Sequence, residues 1–517
     1  MGQGSSPSFK WWIASVLCLS QISVGCSITA VTIAIPSMMA SLGASLNQIQ
    51  WVLTGFLITR TVMMPLAGSL GSQMSDRSFF MLCTGVFTAG SFLCAIAWNA
   101  ESLSVFRIIQ AIGAGPLVAV SMAIMFETFP PHQRGLAMGI FSASWSIAPY
   151  VGPPLGGLVV ELLDWTIIFY ANVFAGLFTI LGAYLLFSRE KPKKKIQSFD
   201  LLGFLSFSGG MIALLVVISR GQEFGWASPL ILCSIGVSLL LLIFFVALEL
   251  NVQNPFMEIR YLRSMTFSVV NLLNFFRVFC FRGASFLISL VLQMGLNYTP
   301  FQAGMFLLPG IFLTAATAPI AGVLSDRLGA RAPVIIGFGI MMLSAYGLST
   351  LTIWTGVILI FLFISMQSIG QACVNAPLNT TGLRSSPEGT SKMASGMLSM
   401  SRSLGESFGV AALSVLLERR TFINLSHMVP VQDPYLSEGL RFKTLSGLHH
   451  LLLHSGEAVV RLERRAYSFL SYTLFGEALI ISYQDSFRLI ALFYLLMFVS
   501  SLFLPSFRKA KTATTAA

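Results

Sequence analysis

PLAGSLGSQMSDR runs from Pro65 to Arg77, and PIAGVLSDRLGAR runs from Pro319 to Arg331. Each begins with proline and an Ala-Gly pair, closes an apolar run and opens a short polar loop. They stand 254 residues apart in a chain of 517. A repeat at half the chain length points to duplication, with the same loop at the same place in each half. Duplicated halves of this kind build carriers that hold their substrate near mid-membrane while one half rocks against the other.

Composition agrees with a membrane setting. Hydrophobic residues make up 55% of the chain and charged residues 10%, and the mean hydropathy is +0.80. A soluble domain carries about 25% charged residues, so so few charges could not clothe a wetted surface, and lipid must be the outer solvent. The 44 glycines suit close helix approach in lipid. The net charge of +11 would suggest nucleic acid in a soluble chain. Here the placement of the charges matters more, and no nucleic-acid partner is expected. The seven cysteines all fall inside apolar runs and read as small buried hydrophobes, not as a disulfide framework. The apolar stretch from Lys10 to about Met39 is too long for a signal-peptide core and reads as a first span.

Runs of about 20 apolar residues mark spans. Fourteen are found, near 12–39, 50–71, 79–97, 103–127, 136–160, 166–187, 201–220, 228–248, 266–292, 303–324, 333–351, 355–376, 396–416 and 486–505. With the N-terminus in the cytosol, the basic residues of the short loops, among them the run Arg189, Lys191, Lys193, Lys194 and Lys195, all fall inside. The short external loops hold none, as the positive-inside rule requires. An even span count then puts both termini in the cytosol. The long segment 417–484 is external, and its basic residues do not weigh in the rule.

GVLSDRLGAR (322–331) resembles the loop signature of the major facilitator superfamily. FRIIQAIGAGP (106–116), FPPHQRGLAMG (129–139), APYVGPPLGG (148–157), NVFAG (172–176), SRSLGESFGVA (401–411) and YQDSFR (483–488) resemble, in order, further blocks of its fourteen-helix drug:proton antiporters of the EmrB/QacA type. The resemblance implies an all-α fold of two six-helix bundles, residues 1–187 and 266–517, with a basic linker and two extra helices at 188–265. It implies secondary active, proton-coupled efflux of amphipathic organic compounds from the cell (inner) membrane. The implied partners are lipid, a small organic substrate and protons, with a periplasmic adaptor protein in double-membraned bacteria.

The motifs have a physical reading. GPPLGG supplies Gly152, Pro153, Gly156 and Gly157. Proline deletes a backbone hydrogen bond and glycine admits a close neighbour, which makes a tight, bendable seam. The resemblance implies that this seam seals the interface between the halves. In the second loop, the resemblance implies that Gly322, Asp326, Arg327, Gly329 and Arg331 form the family's cytoplasmic latch, where residues alone would read as a solvated charge cluster. The first copy is degraded, with Ser72 and Ser75 where the family has aspartate and glycine. A second departure lies in CSITAVTIAIP (26–36): Ser27 stands where such antiporters carry a helix 1 acid, and Thr32 where they carry asparagine. Serine cannot cycle a proton near neutral pH, so any coupling proton needs another carrier.

Charges inside spans are costly and face a cavity or a partner. Arg60, Arg107, Arg277, Arg282 and Arg402 fall within spans, against one mid-span acid, Glu406. Glu127, at the inner end of the fourth span, is a weaker proton candidate. Arg402 is four residues before Glu406 and shares its helix face, so Glu406 is either a coupling group or a fixed partner for Arg402. An arginine at Arg60's depth costs roughly 2.5–3.5 kcal/mol on insertion scales. Three readings stand for it: a cross-seam pair with Glu406, an anionic ligand seated by Arg60, Arg107, Arg277 and Arg282, or a lipid-headgroup or local structural role.

His450, His454 and Glu457 share a helical face in the external segment, but the pattern is not a catalytic metal motif, and an amphipathic surface helix is the simpler reading. No metal and no cofactor is expected. No Gly-x-x-x-x-Gly-Lys loop offers ATP drive, and five histidines in the chain make a membrane enzyme a poor rival. The remaining alternatives are an exporter of an anionic metabolite and a non-transporting receptor on a carrier fold.

Overall fold

In lipid each backbone polar group must be satisfied within its own segment, so apolar runs of this length fold as helices. The computed structural model describes residues 9–188, 199–295, 298, 300–352, 355–387, 389–428 and 459–504, and the side chains of 148–161 and 459–474 lie outside the described set. The first half holds α1 (Phe9–Leu42), α2 (Leu46–Met63), α3 (Leu66–Ser69), α4 (Asp76–Ala95), α5 (Ala100–Thr128), α6 (Arg134–Leu162) and α7 (Thr166–Leu186). Next come α8 (Leu201–Phe224) and α9 (Pro229–Asn251). The second half holds α10 (Met265–Leu290), α11 (Pro300–Leu328), α12 (Arg331–Leu348), α13 (Val357–Ser385), α14 (Ser391–Met428) and α15 (Val459–Ser501). The four-residue α3 prolongs α2 past Pro65, so the two make one crossing.

The fourteen crossings match the sequence reading. Twelve of them are long and apolar enough by composition among the described residues; α6 and α14 complete the set. Short polar caps fix the turns between them. Ser45 and Gln48 form a capping box on α2, Ser75 caps α4, Asn99 caps α5, Asp200 caps α8, and Ser228 caps α9 ahead of Pro229.

One boundary is corrected. The sequence places the last span at 486–505, whereas the apolar stretch of α15 begins at Phe475; helix also extends beyond the expected spans, α14 continuing to Met428 and α15 beginning at Val459. Charges such as Arg461 and Glu463 end a hydropathy run but not a helix, because arginine and glutamate are good helix formers. YQDSFR therefore lies inside α15. There Asp485 pairs with Arg488 at 3.0 Å, and Gln484 donates to the Leu351 carbonyl at 2.8 Å. His450, His454 and Glu457 lie outside the described residues, as does the basic run 189–195.

Helix packing repeats between the halves. In the first, α1 packs on α6, α5 on both α2 and α4, and α4 on α7. In the second, α10 packs on α14, α13 on both α11 and α12, and α12 on α15. This is the pseudo-twofold that the loop repeat foretold. The added pair α8 and α9 pack on each other, with α8 touching α2 and α14.

The halves meet where α6 crosses α11 and where α3 crosses α14, two contacts that exchange under the repeat, with α5 on α14 and α6 on α13 beside them. Glycine makes both crossings close. A Cβ on Gly322 would overlap the backbone of Gly135 on α6, and a Cβ on Gly68 would overlap Met393 on α14. Gly68 and Gly322 are thus equivalent in structure as well as in sequence. Both crossings lie at the end of the bundle that carries the repeated loops, called here the loop face.

Candidate functional site

Above the loop-face crossings, α2, α6, α10 and α14 bring charges together at mid-length. Glu406 on α14 lies 3.0 Å from Arg282 Nη2 on α10 and 3.9 Å from Arg60 Nη2 on α2. Arg60 is 2% exposed. Its Nη2 also donates to Ser403 Oγ at 3.4 Å, and Ser403 Oγ lies 2.6 Å from Thr61 Oγ1. Trp145 of α6 sits between two guanidinium groups, 5.7 Å from Arg60 and 5.3 Å from Arg402. Such contacts supply about 0.5–2 kcal/mol each. Arg60, Thr61 and Trp145 belong to the first half, Ser403, Arg402 and Glu406 to the second. The cluster therefore forms only while the halves are together here.

The expected cross-seam meeting of Arg60 and Glu406 occurs, with Arg282 the nearer partner. The expected pairing of Arg402 with Glu406 on their shared helix face does not: among the described ion pairs, Glu406 is held by Arg282 and Arg60. Arg402 lies against Trp145, with Glu406 within electrostatic reach.

Beside this cluster lies a cavity of about 60 Å³, lined by Trp145, Arg277, Phe281, Arg282, Arg402 and Glu406 among others. A drug-sized ligand needs roughly 300–1,000 Å³, so the seam is drawn in around a space for a few waters. Arg277 borders it from α10, 1% exposed. Its Nη2 donates to Asn274 Oδ1 at 2.7 Å and to Asn375 Oδ1 at 3.0 Å, while Nε and Nη1 have no partner among the described residues. The two asparagines are themselves tied down: Asn274 donates to the Leu398 carbonyl at 3.3 Å, and Asn379 donates to Asn375 Oδ1 at 3.2 Å.

Arg107, grouped by sequence with the cavity arginines, is placed elsewhere. It is wholly buried inside the first half. Its Nη1 donates to Ser27 Oγ at 3.0 Å and to Gln110 Oε1 at 2.6 Å, and its Nε to the Val52 carbonyl at 3.2 Å. Phe56 lies 4.1 Å beneath its guanidinium. Gln110 donates in turn to Ser91 Oγ at 2.6 Å and to Ser27 Oγ at 3.3 Å. Ser27 is thus the hub acceptor where the resembled family has an acid, and neutral oxygens solvate the cation. Thr32 is exposed, its hydroxyl bonded back to the Ile28 carbonyl at 3.0 Å. Glu127 sits in the last turn of α5, within electrostatic reach of Arg134.

At the loop face two cross-seam latches form with opposite polarity. Asp326 Oδ1 accepts from the Gly135 N–H at 2.9 Å, and Oδ2 from the Leu136 N–H at 3.0 Å. These are orphan donors at the start of α6, where a carboxylate is favoured. Arg384, at the end of α13, approaches Asp326 to 3.5 Å and donates to the Pro131 carbonyl at 2.9 Å. Arg384 therefore takes the place expected of Arg327, which is exposed, and of Arg331, which is half-buried. Gly329 adopts φ +88°, the left-handed cap that ends α11. On the other side, where Ser72 stands in place of an acid, Lys392 in the first turn of α14 reaches across. It binds Asp76 at 2.7 Å and the carbonyls of Gly71 at 2.5 Å and Met74 at 3.3 Å. Ser395 adds a bond to the Ala119 carbonyl at 2.8 Å.

A pseudo-symmetric pair of six-helix bundles, latched by repeated loops around a charged centre, agrees with what comparison finds. The model of the Major Facilitator Superfamily matches residues 17–410. The chain belongs to that superfamily. It is similar to the MFS-type transporter YhcA of Bacillus subtilis (strain 168), 28% identical over 93% of this chain and 90% of the other. It is also similar to the multidrug export protein EmrB of Haemophilus influenzae, 28% identical over 79% of this chain and 80% of the other. The proton:xylose symporter XylE shares its fold, with TM-score 0.60 at 13% identity over 98% of both chains. The protein is thus a multi-pass membrane transporter of the major facilitator fold, and the resemblance to the EmrB type is borne out.

Several residues of this major facilitator transporter escaped the sequence reading. Trp145 and Thr61 carry no motif that marks them, and Ser403, inside SRSLGESFGVA, is overshadowed by its charged neighbours Arg402 and Glu406. Lys392 had a usable signal: a basic residue opening the helix that faces the degraded loop. The GPPLGG glycines and prolines lie within α6, and their side chains are outside the described residues.

Proposed function

We propose that this transporter exports amphipathic organic compounds by alternating access, and that Glu406 carries the coupling proton. The observation that supports this reading best is the meeting of Glu406 with Arg60 and Arg282 across the seam, 3.9 and 3.0 Å away. Protonating Glu406 removes the charge that draws Arg60 toward the second half. Proton occupancy and closure at this depth then bias one another, as linkage requires. Asp326 and Lys392 act as the loop-face gate that this centre controls. The division into residues 1–187, 188–265 and 266–517 is the working unit, the two bundles moving and the middle pair riding outside them.

The multidrug export role named for the Haemophilus relative supports an organic substrate. The orientation that follows puts both termini and the loop face in the cytosol of a cell whose inner (cytoplasmic) membrane holds the protein. In double-membraned cells the part of the segment 417–484 that precedes the apolar stretch at Phe475 is then the surface for a periplasmic adaptor. The test is a substrate screen in a strain stripped of its own efflux pumps, with and without a pH gradient. Lower accumulation of at least one amphipathic compound, lost when the gradient is collapsed, is the expected result. Unchanged accumulation of every compound would overturn the reading.

A further inference from the structure

The charges around the central cavity do not balance. Three arginines, Arg277, Arg282 and Arg402, line it with one carboxylate, Glu406, and that carboxylate is engaged by Arg282 and Arg60. Among the described residues Arg277 keeps two buried donor nitrogens without an acceptor, and Arg402 rests on an aromatic face with Glu406, already engaged elsewhere, as its nearby carboxylate. A buried guanidinium is held at low cost only when its donors and its charge are met. Trp145, Val278 and Phe281 supply an apolar wall beside these cations.

We propose that Arg277 and Arg402 seat the anionic head of an amphipathic organic anion, a carboxylate or a sulfonate, with its apolar body along Trp145 and Phe281. One carboxylate oxygen accepts from a free N–H of Arg277 and the other meets the guanidinium of Arg402, so the head group is held by two charge-assisted hydrogen bonds. The present space of about 60 Å³ admits a head group, and the body enters as the seam parts. The seat leaves Glu406 to Arg282 and Arg60, so it does not compete with the coupling role above. It refines the export reading by naming the substrate class.

The test is equilibrium binding to the full chain in nanodiscs of zwitterionic lipid, with empty discs subtracted. The probes are decanoate, decanesulfonate and decyltrimethylammonium. The two anions are expected to bind at least tenfold more tightly than the cation. Arg277→Gln and Arg402→Gln are each expected to weaken anion binding about tenfold and leave the cation unchanged, and Arg402→Lys should restore part of the loss. Equal or stronger binding of the cation overturns the proposal, as do monodisperse glutamine variants with unchanged anion affinity. If neither glutamine variant folds, the wild-type preference decides alone. Sulfate displacing decanoate at equal concentration, or phosphatidylglycerol discs abolishing decanoate binding, would show a bare-anion or lipid-headgroup site and would also overturn it. Anion binding without efflux of any compound sinks the export reading and keeps the seat. Efflux of cations without anion binding does the reverse.

Discussion

Asn in place of Asp326 isolates one latch. The carboxylate accepts from two backbone N–H groups at the start of α6, at 2.9 and 3.0 Å. An amide keeps one acceptor oxygen and turns an NH2 toward the second donor. The change removes one hydrogen bond to a charged group, about 1.5–3 kcal/mol, and the attraction of an anion for a helix N-terminus, about 0.3–1 kcal/mol more. The partly exposed Arg384 pair, at 3.5 Å, adds little. Asp326→Asn should therefore weaken the closed loop face by about 2–4 kcal/mol, roughly 30- to 1,000-fold in the closed-to-open ratio. Hydrogen exchange followed by mass spectrometry reads this directly, because the amides of Gly135 and Leu136 are the donors. A peptide spanning 132–140 should exchange faster by a factor in that range, while peptides from α12 stay as in the wild type. Unchanged exchange at 132–140 in a folded variant would refute the latch.

Other outcomes follow from the same geometry. Glu406→Gln should abolish gradient-driven efflux and its pH dependence while substrate still binds, checked by vesicle transport beside a binding assay; retained pH dependence would move the proton elsewhere. Gly322→Ala places a methyl group against the Gly135 backbone, and overpacking there should cost about 1–3 kcal/mol of the closed state, seen as faster exchange in the same α6 peptide. Ser27→Ala strips Arg107 and Gln110 of a shared acceptor and should lower thermal stability by about 1–3 kcal/mol, whereas Ser27→Asp should keep or raise it. Lys392→Met should open the opposite crossing, read as faster exchange in the α3–α4 connection.

Much of this architecture could be read from residues because lipid enforces it. A run of twenty apolar residues has one stable backbone form in a bilayer, so the spans and the repeat were legible, down to the equivalence of Gly68 and Gly322. The ends of α14 and α15 were not, since hydropathy reports where lipid stops and not where hydrogen bonding stops. Within the site, Arg60 and Glu406 stood out because each is expensive where it lies. Which arginine Glu406 would prefer was not legible. Arg282 and Arg402 are equally close to it in pattern, one on another helix and one on its own, and only the packing of α10 on α14 chooses. Arg107 was misplaced for a related reason: a buried arginine saturated by Ser27, Gln110 and the Val52 carbonyl looks in sequence like one left facing a cavity.

The two halves are copies in backbone but not in charge. The first has serine at both places where the resembled family puts an acid, Ser27 in α1 and Ser72 in the repeated loop. The second keeps Asp326 and adds Glu406. The lost acid at Ser72 is offset by Lys392, supplied by the opposite half, so each crossing still has one charged residue meeting backbone groups across the seam. At Asp326 an anion meets helix N–H groups, and at Lys392 a cation meets loop carbonyls. Both latching charges now sit on the second half, as does the central carboxylate, with the first half contributing mostly the dipoles and the arginine they act on. A proton arriving at Glu406 therefore changes the charge of the half that carries the latches. Because α14 holds Lys392, Arg402, Ser403 and Glu406 on one continuous helix, a shift of that helix moves the gate and the charged centre together.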